Sequence, residues 1–546
     1  MNSSLFRKLI IITAIGLSPI LSNAQNYAEQ IDKVFSWVED GSPGCTCALS
    51  KNGEVIFNKA YGVANMETKS PLTANSVLDA GSMVKQFVAA ATLLLVDEGK
   101  LSLTADIHQY IPELPQYGHK ITIDHLMTHT SGVRDWTGIR MFSSQDDDAL
   151  TMVLRQSELN FPPGTQWSYS NSGFVLLKEI VARVSGKSFG QFVQERLFDK
   201  LGMKQTSYTE HPEDIVNRAL AYEKRGDSWQ LAILEDNDRG GGGALMSTAS
   251  DLLIWNEALT EGKLGKFVTQ KIQEPARLKN GRVLTYARGL FVEEVEVGQL
   301  VWHGGSANGY KSVMGRLPKH GLSIAIMCNA GEAADARSAY AGRIFRLFVP
   351  KEEISQPEHL ITPSAELSAD QLNSKTGLFV NEANGDLIQI MSNNGRLAIV
   401  GGSLLTAIDE NNFSNPQGDI EYRSSDEFKL HFLSNDQFEL ISMEGNKTLF
   451  NRANNEAPTT EELKSLEGNY ISEDIKSTFK VTATDSGIIM NLEHAPMQRI
   501  PFQQVHKDIF QFRRMTFRFL RDKSGKVVAM EYSNPVLSKV KFIRIE

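Results

Sequence analysis

Ser82 and Lys85, in Ser82-Met83-Val84-Lys85, set a hydroxyl and an amine three residues apart. A serine oxygen is a poor nucleophile at neutral pH and needs a neighbour to take its proton. On a helix, residues i and i+3 share a face, so Lys85 would stand beside Ser82. Burial of the lysine disfavours its ammonium form and makes it a usable base. A helix N-terminus would add free N–H groups for an oxyanion. The second candidate element is Tyr169-Ser170-Asn171, in FPPGTQWSYSNSGF. A phenol beside a cation can shuttle a proton, and the Asn171 amide can hold a substrate or orient the lysine. The third is His303-Gly304-Gly305-Ser306. Gly305 would let a substrate backbone lie against a strand, the N–H groups of Ser306 and Ser82 would form an oxyanion hole, and His303 would bind or polarise the substrate.

These groups need elements to hold them. Residues 82–98, SMVKQFVAAATLLLVDE, read as one helix that is apolar nearly all round and is therefore expected at the centre of its domain. Residues 45–62 read as a hairpin turning at Asn52-Gly53. Helices are expected over 146–156, 173–185, 188–200 and 248–262, and strands over 311–317 and 322–328. An early hairpin, a helical middle and late strands predict one sheet built from both ends of an α+β domain covering 25–350.

Ser-x-x-Lys recurs at Ser477 and Ser538, and Tyr-Ser-Asn recurs at Tyr532-Ser533-Asn534. Both serines lie in strand-like runs, where a lysine three residues on faces the other side, so the extra copies are expected to be coincidences. Order and context therefore carry the signal. Together the three elements resemble the Ser-x-x-Lys, Tyr-x-Asn and His/Lys-x-Gly set of the serine β-lactamase and penicillin-binding superfamily. They are most similar to its class C-like, peptidase S12-like branch of D,D-carboxypeptidases, D-aminopeptidases and esterases. ITIDHLMTHTSGV (121–133), GGGGALMSTASDLLIW (240–255) and LSIAIMCN (322–329) also look like that group's segments. The resemblance implies a β-lactamase/transpeptidase-like fold and an acyl-enzyme on Ser82, with Lys85 and Tyr169 moving protons. It implies that Asn171 hydrogen-bonds substrate or Lys85, and that His303, Gly305 and Ser306 line the substrate and oxyanion side. Which of Lys85 and Tyr169 is the base stays open. Class C β-lactamases carry Lys where this chain has His303, which shifts the expectation from β-lactams toward peptides or esters. D-aminopeptidases of the superfamily also append two small β-barrels.

That addition matches the rest of the chain. After a polar, proline-bearing stretch, KEEISQPEHLITPS, short alternating strand patterns dominate. Leu372, Gly377, Phe379 and Glu382 recur as Leu463, Gly468, Tyr470 and Glu473, each 91 residues later. Two small antiparallel β-domains, barrel or lipocalin-like, are expected over 363–453 and 463–546, with one merged β-domain as the alternative. Aromatic residues of the repeats are expected in their cores.

Residues 1–24 read as a signal peptide: Arg7 and Lys8, an apolar run from Leu9 to Leu21, and small residues at Ser22-Asn23-Ala24. The run is short for a span, so a periplasmic or secreted protein without a stable membrane span is expected. Across 546 residues, 41% are hydrophobic and 22% charged, an ordinary globular composition, and the net charge of −9 disfavours nucleic-acid binding. Cys45 and Cys47 point to one side of a strand and cannot readily bridge each other. Either one of them pairs with Cys328, or all three are buried thiols. No cofactor or metal site is expected: His125 and His129 lack a third ligand and read as structural, and the Gly240–Gly243 run lacks a phosphate loop's Lys-Ser/Thr and reads as a flexible cleft wall. The expected partner is a small-molecule or peptide substrate, including one derived from cell wall. The sequence does not speak to oligomeric state. A competing expectation is a binding or sensor protein that captures its ligand through the repeats.

Overall fold

The structure, a computed structural model, describes residues 27–144, 146–232, 243–334, 337–354, 365–382, 385–393, 395–400, 404–414, 428–442, 447–453, 457–534 and 536–545. The signal-peptide expectation, most of the polar stretch after 350 and Gly240–Gly242 fall outside them.

The early hairpin is β1 (Cys45–Lys51) and β2 (Glu54–Tyr61). Asn52 and Gly53 both have positive φ, 51° and 81°, as a tight two-residue turn requires. The buried helix is α1 (Val84–Asp97), preceded by a 3₁₀ turn at Gly81–Met83. Two long helices follow, the amphipathic α2 (Asn171–Ser185) and the largely buried α3 (Ala249–Thr260). The chain then returns to the sheet through β3 (Phe291–Val295), β4 (Gly298–Ala307), β5 (Tyr310–Leu317) and β6 (Leu322–Cys328), and α4 (Arg337–Phe348) covers its far face.

The six-stranded sheet has the order β3-β4-β5-β6-β1-β2, so β1 pairs antiparallel with β6 and the two ends of the domain close on each other. Cys45 lies directly opposite Cys328 in that register and is disulfide-bonded to it, while Cys47 stays a buried free thiol. One face of the sheet packs on Phe35, Ile344 and Phe345. The other packs on α3, whose Trp255 ring meets Phe87 of α1 at 4.3 Å. The helix expected over 188–200 runs from Phe189 to Leu201, with a π turn at Gln194–Phe198 inside it. Helix 146–156 is confined to Ala149–Leu154, where Asp148 caps the first turn.

The repeats form two separate eight-stranded sheets. The first is barrel-like, its end strands Arg396–Ile399 and Thr406–Ala407 meeting through an Ala398–Leu404 bridge and a bond from Leu405 N to the Leu397 carbonyl at 2.7 Å. The second closes fully from Gly468–Ser472 round to Leu537–Ile545. Its interior is packed with aromatic rings, among them Phe479, Phe502, Phe517 and Phe542. Tyr532-Ser533-Asn534, expected to be a coincidence, makes a contact between units. Tyr532 Oη and Asn534 Nδ2 both donate to the Gly138 carbonyl, at 3.0 and 2.9 Å. Ser477 and Ser538 lie on barrel strands.

Candidate active site

Ser82 sits in the tight turn that opens α1. Gly81 has φ +55°, and its N–H donates to Asp79 Oδ1 at 2.8 Å. A Cβ on Gly81 would lie 2.7 Å from the backbone nitrogen of Ser306. Only glycine both adopts this turn and lets β4 come so close. One helical turn on, Lys85 is buried, with Nζ 3.2 Å from Ser82 Oγ and donating to Asn171 Oδ1 at 2.9 Å. The amine also lies 4.7 Å from the ring centre of Tyr169 and 5.5 Å from that of Phe174. Burial lowers the Lys85 ammonium to about 7, helped by the charge of Lys178 and opposed by Asp135. At neutral pH a large fraction is therefore free amine, able to accept the Ser82 proton.

Tyr169 is half-buried beside Ser82. Burial pushes its phenol up, against the pull of a hydrogen bond with Ser82. It is thus better placed to give a proton than to take one. Asn171 begins α2, where Ser170 makes no side-chain cap. Asp135 supplies the missing partner from another segment: its Oδ2 accepts from Asn171 N at 2.6 Å and from Asn171 Nδ2 at 3.0 Å. Its Oδ1 accepts from the backbone N and Oγ1 of Thr137, at 2.9 and 2.8 Å. Burial raises the Asp135 carboxyl, but these donors and Lys85 favour its charged form. The Asn171 amide is thereby oriented, with nitrogen toward Asp135 and oxygen toward Lys85. Sequence reasoning did not single out Asp135. It lies two residues past the quoted ITIDHLMTHTSGV segment, and nothing local marks it.

His303 is buried on β4, and neither ring nitrogen is open to a substrate. Nδ1 is 2.6 Å from the Gly304 carbonyl, and Nε2 is 3.3 Å from Tyr286 Oη. Tyr286 Oη is in turn 3.1 Å from His129 Nε2, and His129 Nδ1 accepts from Ser170 N at 3.1 Å. The two ends fix the protons, because an amide N–H only donates and a carbonyl only accepts. His129 donates through Nε2 to Tyr286, Tyr286 donates to His303 Nε2, and His303 Nδ1–H donates to Gly304. Both imidazoles are neutral. Burial and the nearby Lys85 hold His303 down at about 3 and His129 well below the usual range. Sequence reasoning expected His303 to touch substrate, whereas its geometry ties Gly304 on β4 to the loop that carries Tyr169.

Gly305, too, serves an internal contact. A Cβ there would lie 2.0 Å from the Ala80 carbonyl and 2.3 Å from Ser312 Oγ. Arg337 ties β4 to β5, donating to the carbonyls of Gly305 and Ser312 at 3.1 and 2.8 Å. Ser306, one residue on, is exposed. Its backbone borders the Ser82 turn, so their two N–H groups can serve one oxyanion. Among the described residues no cluster of His, Cys, Asp and Glu is arranged to hold a metal. His125 belongs to a helix cap with Thr122.

Residues 24–346, more than half of the chain, match the family described as Beta-lactamase. The chain belongs to that family and is a serine hydrolase of the β-lactamase and penicillin-binding superfamily, in its S12-like branch. It is 28% identical over 317 residues to Penicillin-binding protein 4* of Bacillus subtilis (strain 168), covering 54% of this chain and 70% of that one. It is 26% identical over 328 residues to a D-aminopeptidase of Gluconobacter oxydans (strain 621H), covering 58% of this chain and 62% of the relative, less than two thirds of its length. Among solved structures, the octameric penicillin-binding protein homologue from Pyrococcus abyssi superposes with a TM-score of 0.51 at 20% identity. SurE does so with 0.54 at 18% identity. Each covers 79% of this chain and 99% of its own, a likeness of fold that reaches beyond the family region.

Proposed function

We propose that the protein is an exported hydrolase that forms an acyl-enzyme on Ser82, acting on a small amide or ester, with a peptide containing a D-amino acid as the favoured substrate. The observation that carries this is the Lys85 amine, buried, held to about 7 and 3.2 Å from Ser82 Oγ. Lys85 takes the Ser82 proton as Oγ bonds to the substrate carbonyl carbon. The oxyanion is received by the N–H groups of Ser82 and Ser306. As the carbon–nitrogen or carbon–oxygen bond breaks, Tyr169 gives its proton to the leaving group and regains one from the Lys85 ammonium. Water then attacks the acyl carbon, its proton passing to the same amine, and the Lys85 ammonium returns that proton to Ser82 Oγ as the bond between acyl carbon and Oγ breaks. Lys85 is favoured over Tyr169 as base because burial moves the amine toward neutrality and the phenol away from it.

Two features favour amide or ester substrates over β-lactams. His303 is neutral and internally bonded where a class C β-lactamase offers a cation, and one relative is a D-aminopeptidase. An acyltransferase passing the acyl group to an alcohol or amine would use the same residues. The ligand-capturing reading finds less support, because aromatic rings fill the last barrel. We assign residues 25–350 to catalysis, 363–453 and 463–546 to the two β-domains, and residues 1–24 to export. Turnover of D-alanyl and L-alanyl p-nitroanilides and of p-nitrophenyl acetate, by wild type and Ser82→Ala, tests the substrate class. Release from the D-alanyl substrate that requires Ser82 is expected. Ester cleavage with no D-alanyl turnover would overturn the peptide assignment.

A further inference from the structure

The last barrel and the helical half of the catalytic region share one hydrophobic core, in which Phe142 meets the rings of Tyr532 and Phe479 at 4.9 and 5.1 Å. The polar contacts across this junction are made by two segments, Gln156 to Asn160, where Asn160 bonds Val536 and Ser538 and Ser157 N donates to Asp474 Oδ1, and Arg134 to Gly138, which carries Asp135. At its start the buried Arg134 guanidinium donates to Asp474 Oδ2 at 2.9 Å and to the Lys539 carbonyl at 3.2 Å, both in the barrel, and to Glu158 at 3.2 Å. Gln156 Nε2 donates to the Asp474 carbonyl at 2.9 Å, tightening the same grip. At the segment's end, the Gly138 carbonyl accepts from Tyr532 and Asn534. A Cβ on Gly138 would lie 2.4 Å from Leu537 Cδ2, so barrel and segment are in direct contact there.

Between the two grips stands Asp135, which caps α2 through Asn171 N and turns the Asn171 amide toward Lys85. We infer that Asp474, Tyr532 and Asn534 are positioning residues for the reaction: the C-terminal barrel holds Asp135, and through Asn171 it sets the place of Lys85 beside Ser82. This rests on the reading of Ser82 and Lys85 above. It gives the barrel a task inside the catalytic unit, distinct from binding a ligand of its own. The groups that face Lys85 are Ser82, Tyr169, Asn171, Asp135, Lys178 and the two neutral histidines, His129 and His303. Of the charged groups among these, Asp135 is the one that favours the ammonium, so slackening its segment moves the lysine's midpoint toward lower pH.

The test is the rate at which a fluorophosphonate labels the full-length protein, measured against pH, for wild type, Asp474→Asn and the double variant Tyr532→Phe with Asn534→Ala. Circular dichroism at the assay temperature gives the folded fraction. The expected result is labelling slower by about 10- to 100-fold, as for reacting groups moved by a fraction of an ångström, with the acid-limb midpoint displaced downward in folded protein. Rates and midpoint equal to wild type would overturn the inference. So would a rate loss with an unmoved midpoint, which marks a merely structural contact. If Asp474→Asn does not fold, the double variant decides, since it removes hydrogen bonds without stranding a charge. A wild type that is not labelled at Ser82 would instead overturn the reading of the site, and this inference with it.

Discussion

At the residue scale, the account turns on the protonation of Lys85. Only the free amine accepts the Ser82 proton, and that form grows as pH rises through the lysine's value of about 7. Labelling of Ser82 is therefore expected to rise through pH 7 and to fall about tenfold for each pH unit below it. Lys85→Met should abolish both the reaction and this limb, as stopped-flow labelling across pH 5–9 would show. A second prediction concerns the chain from His129 to His303. Tyr286→Phe removes the hydroxyl that serves both Nε2 atoms and leaves them buried without a partner. The expected loss is about 1–3 kcal/mol in chemical denaturation. Ser82 and Lys85 were legible in the sequence because their relation is local, one helical turn. Asp135 and Tyr286 were not. Asp135 meets Asn171 across 36 residues, and Tyr286 meets His129 across 157. The sequence singled out His303 but not its bonds to Gly304 and Tyr286, since a histidine's exposed role and its internally bonded role look alike in one dimension.

At the element scale, the close approach of β4 to the Ser82 turn is the decisive packing event. Gly305→Ala would place a methyl 2.0 Å from the Ala80 carbonyl, a backbone atom that cannot rotate away. The strand must then retreat, carrying the Ser306 N–H with it. The expected outcome is a stability loss of about 1–3 kcal/mol together with a fall in kcat larger than any change in KM, read from denaturation and steady-state kinetics. The hairpin, the buried helix and the closing strands were readable, because Asn-Gly turns and unbroken apolar runs are strong local signals. The π turn at Gln194–Phe198 was not, because the helical pattern continues through it. Nor was α4, which buries only Ala341, Ile344 and Phe345 of its twelve residues and so shows a thin apolar stripe. The pairing of Cys45 with Cys328 followed only once β1 and β6 were known to be neighbours.

At the scale of the whole molecule, the chain is less modular than its repeats suggest. The 91-residue recurrence made two β-units visible, but not that the second shares a core with the catalytic region. Contacts such as Phe142 with Tyr532 leave no periodic trace. A chain ending at Ala453 would expose that apolar face, together with the buried Arg134. It is expected to be recovered largely as aggregate, measured by soluble yield and light scattering. Asp474→Ala in the full chain takes away one of that guanidinium's partners, leaving Glu158 and the Lys539 carbonyl, and is expected to cost about 1.5–3 kcal/mol, as loss of a hydrogen bond to a charged group does. A soluble, fully active truncation would show that the barrel is only an appendage.

The most direct test of the central claim, that Ser82 is an acylating nucleophile, is the intact mass of the wild type and of Ser82→Ala after incubation with a fluorophosphonate and, separately, with a penicillin, followed by peptide mapping. The account predicts a single fluorophosphonate adduct on Ser82 in the wild type and none in the variant. A penicillin adduct that persists would mark a penicillin-binding peptidase, and one that forms and disappears a lactamase. An unmodified wild-type mass with both probes, or an adduct that survives Ser82→Ala, would contradict it.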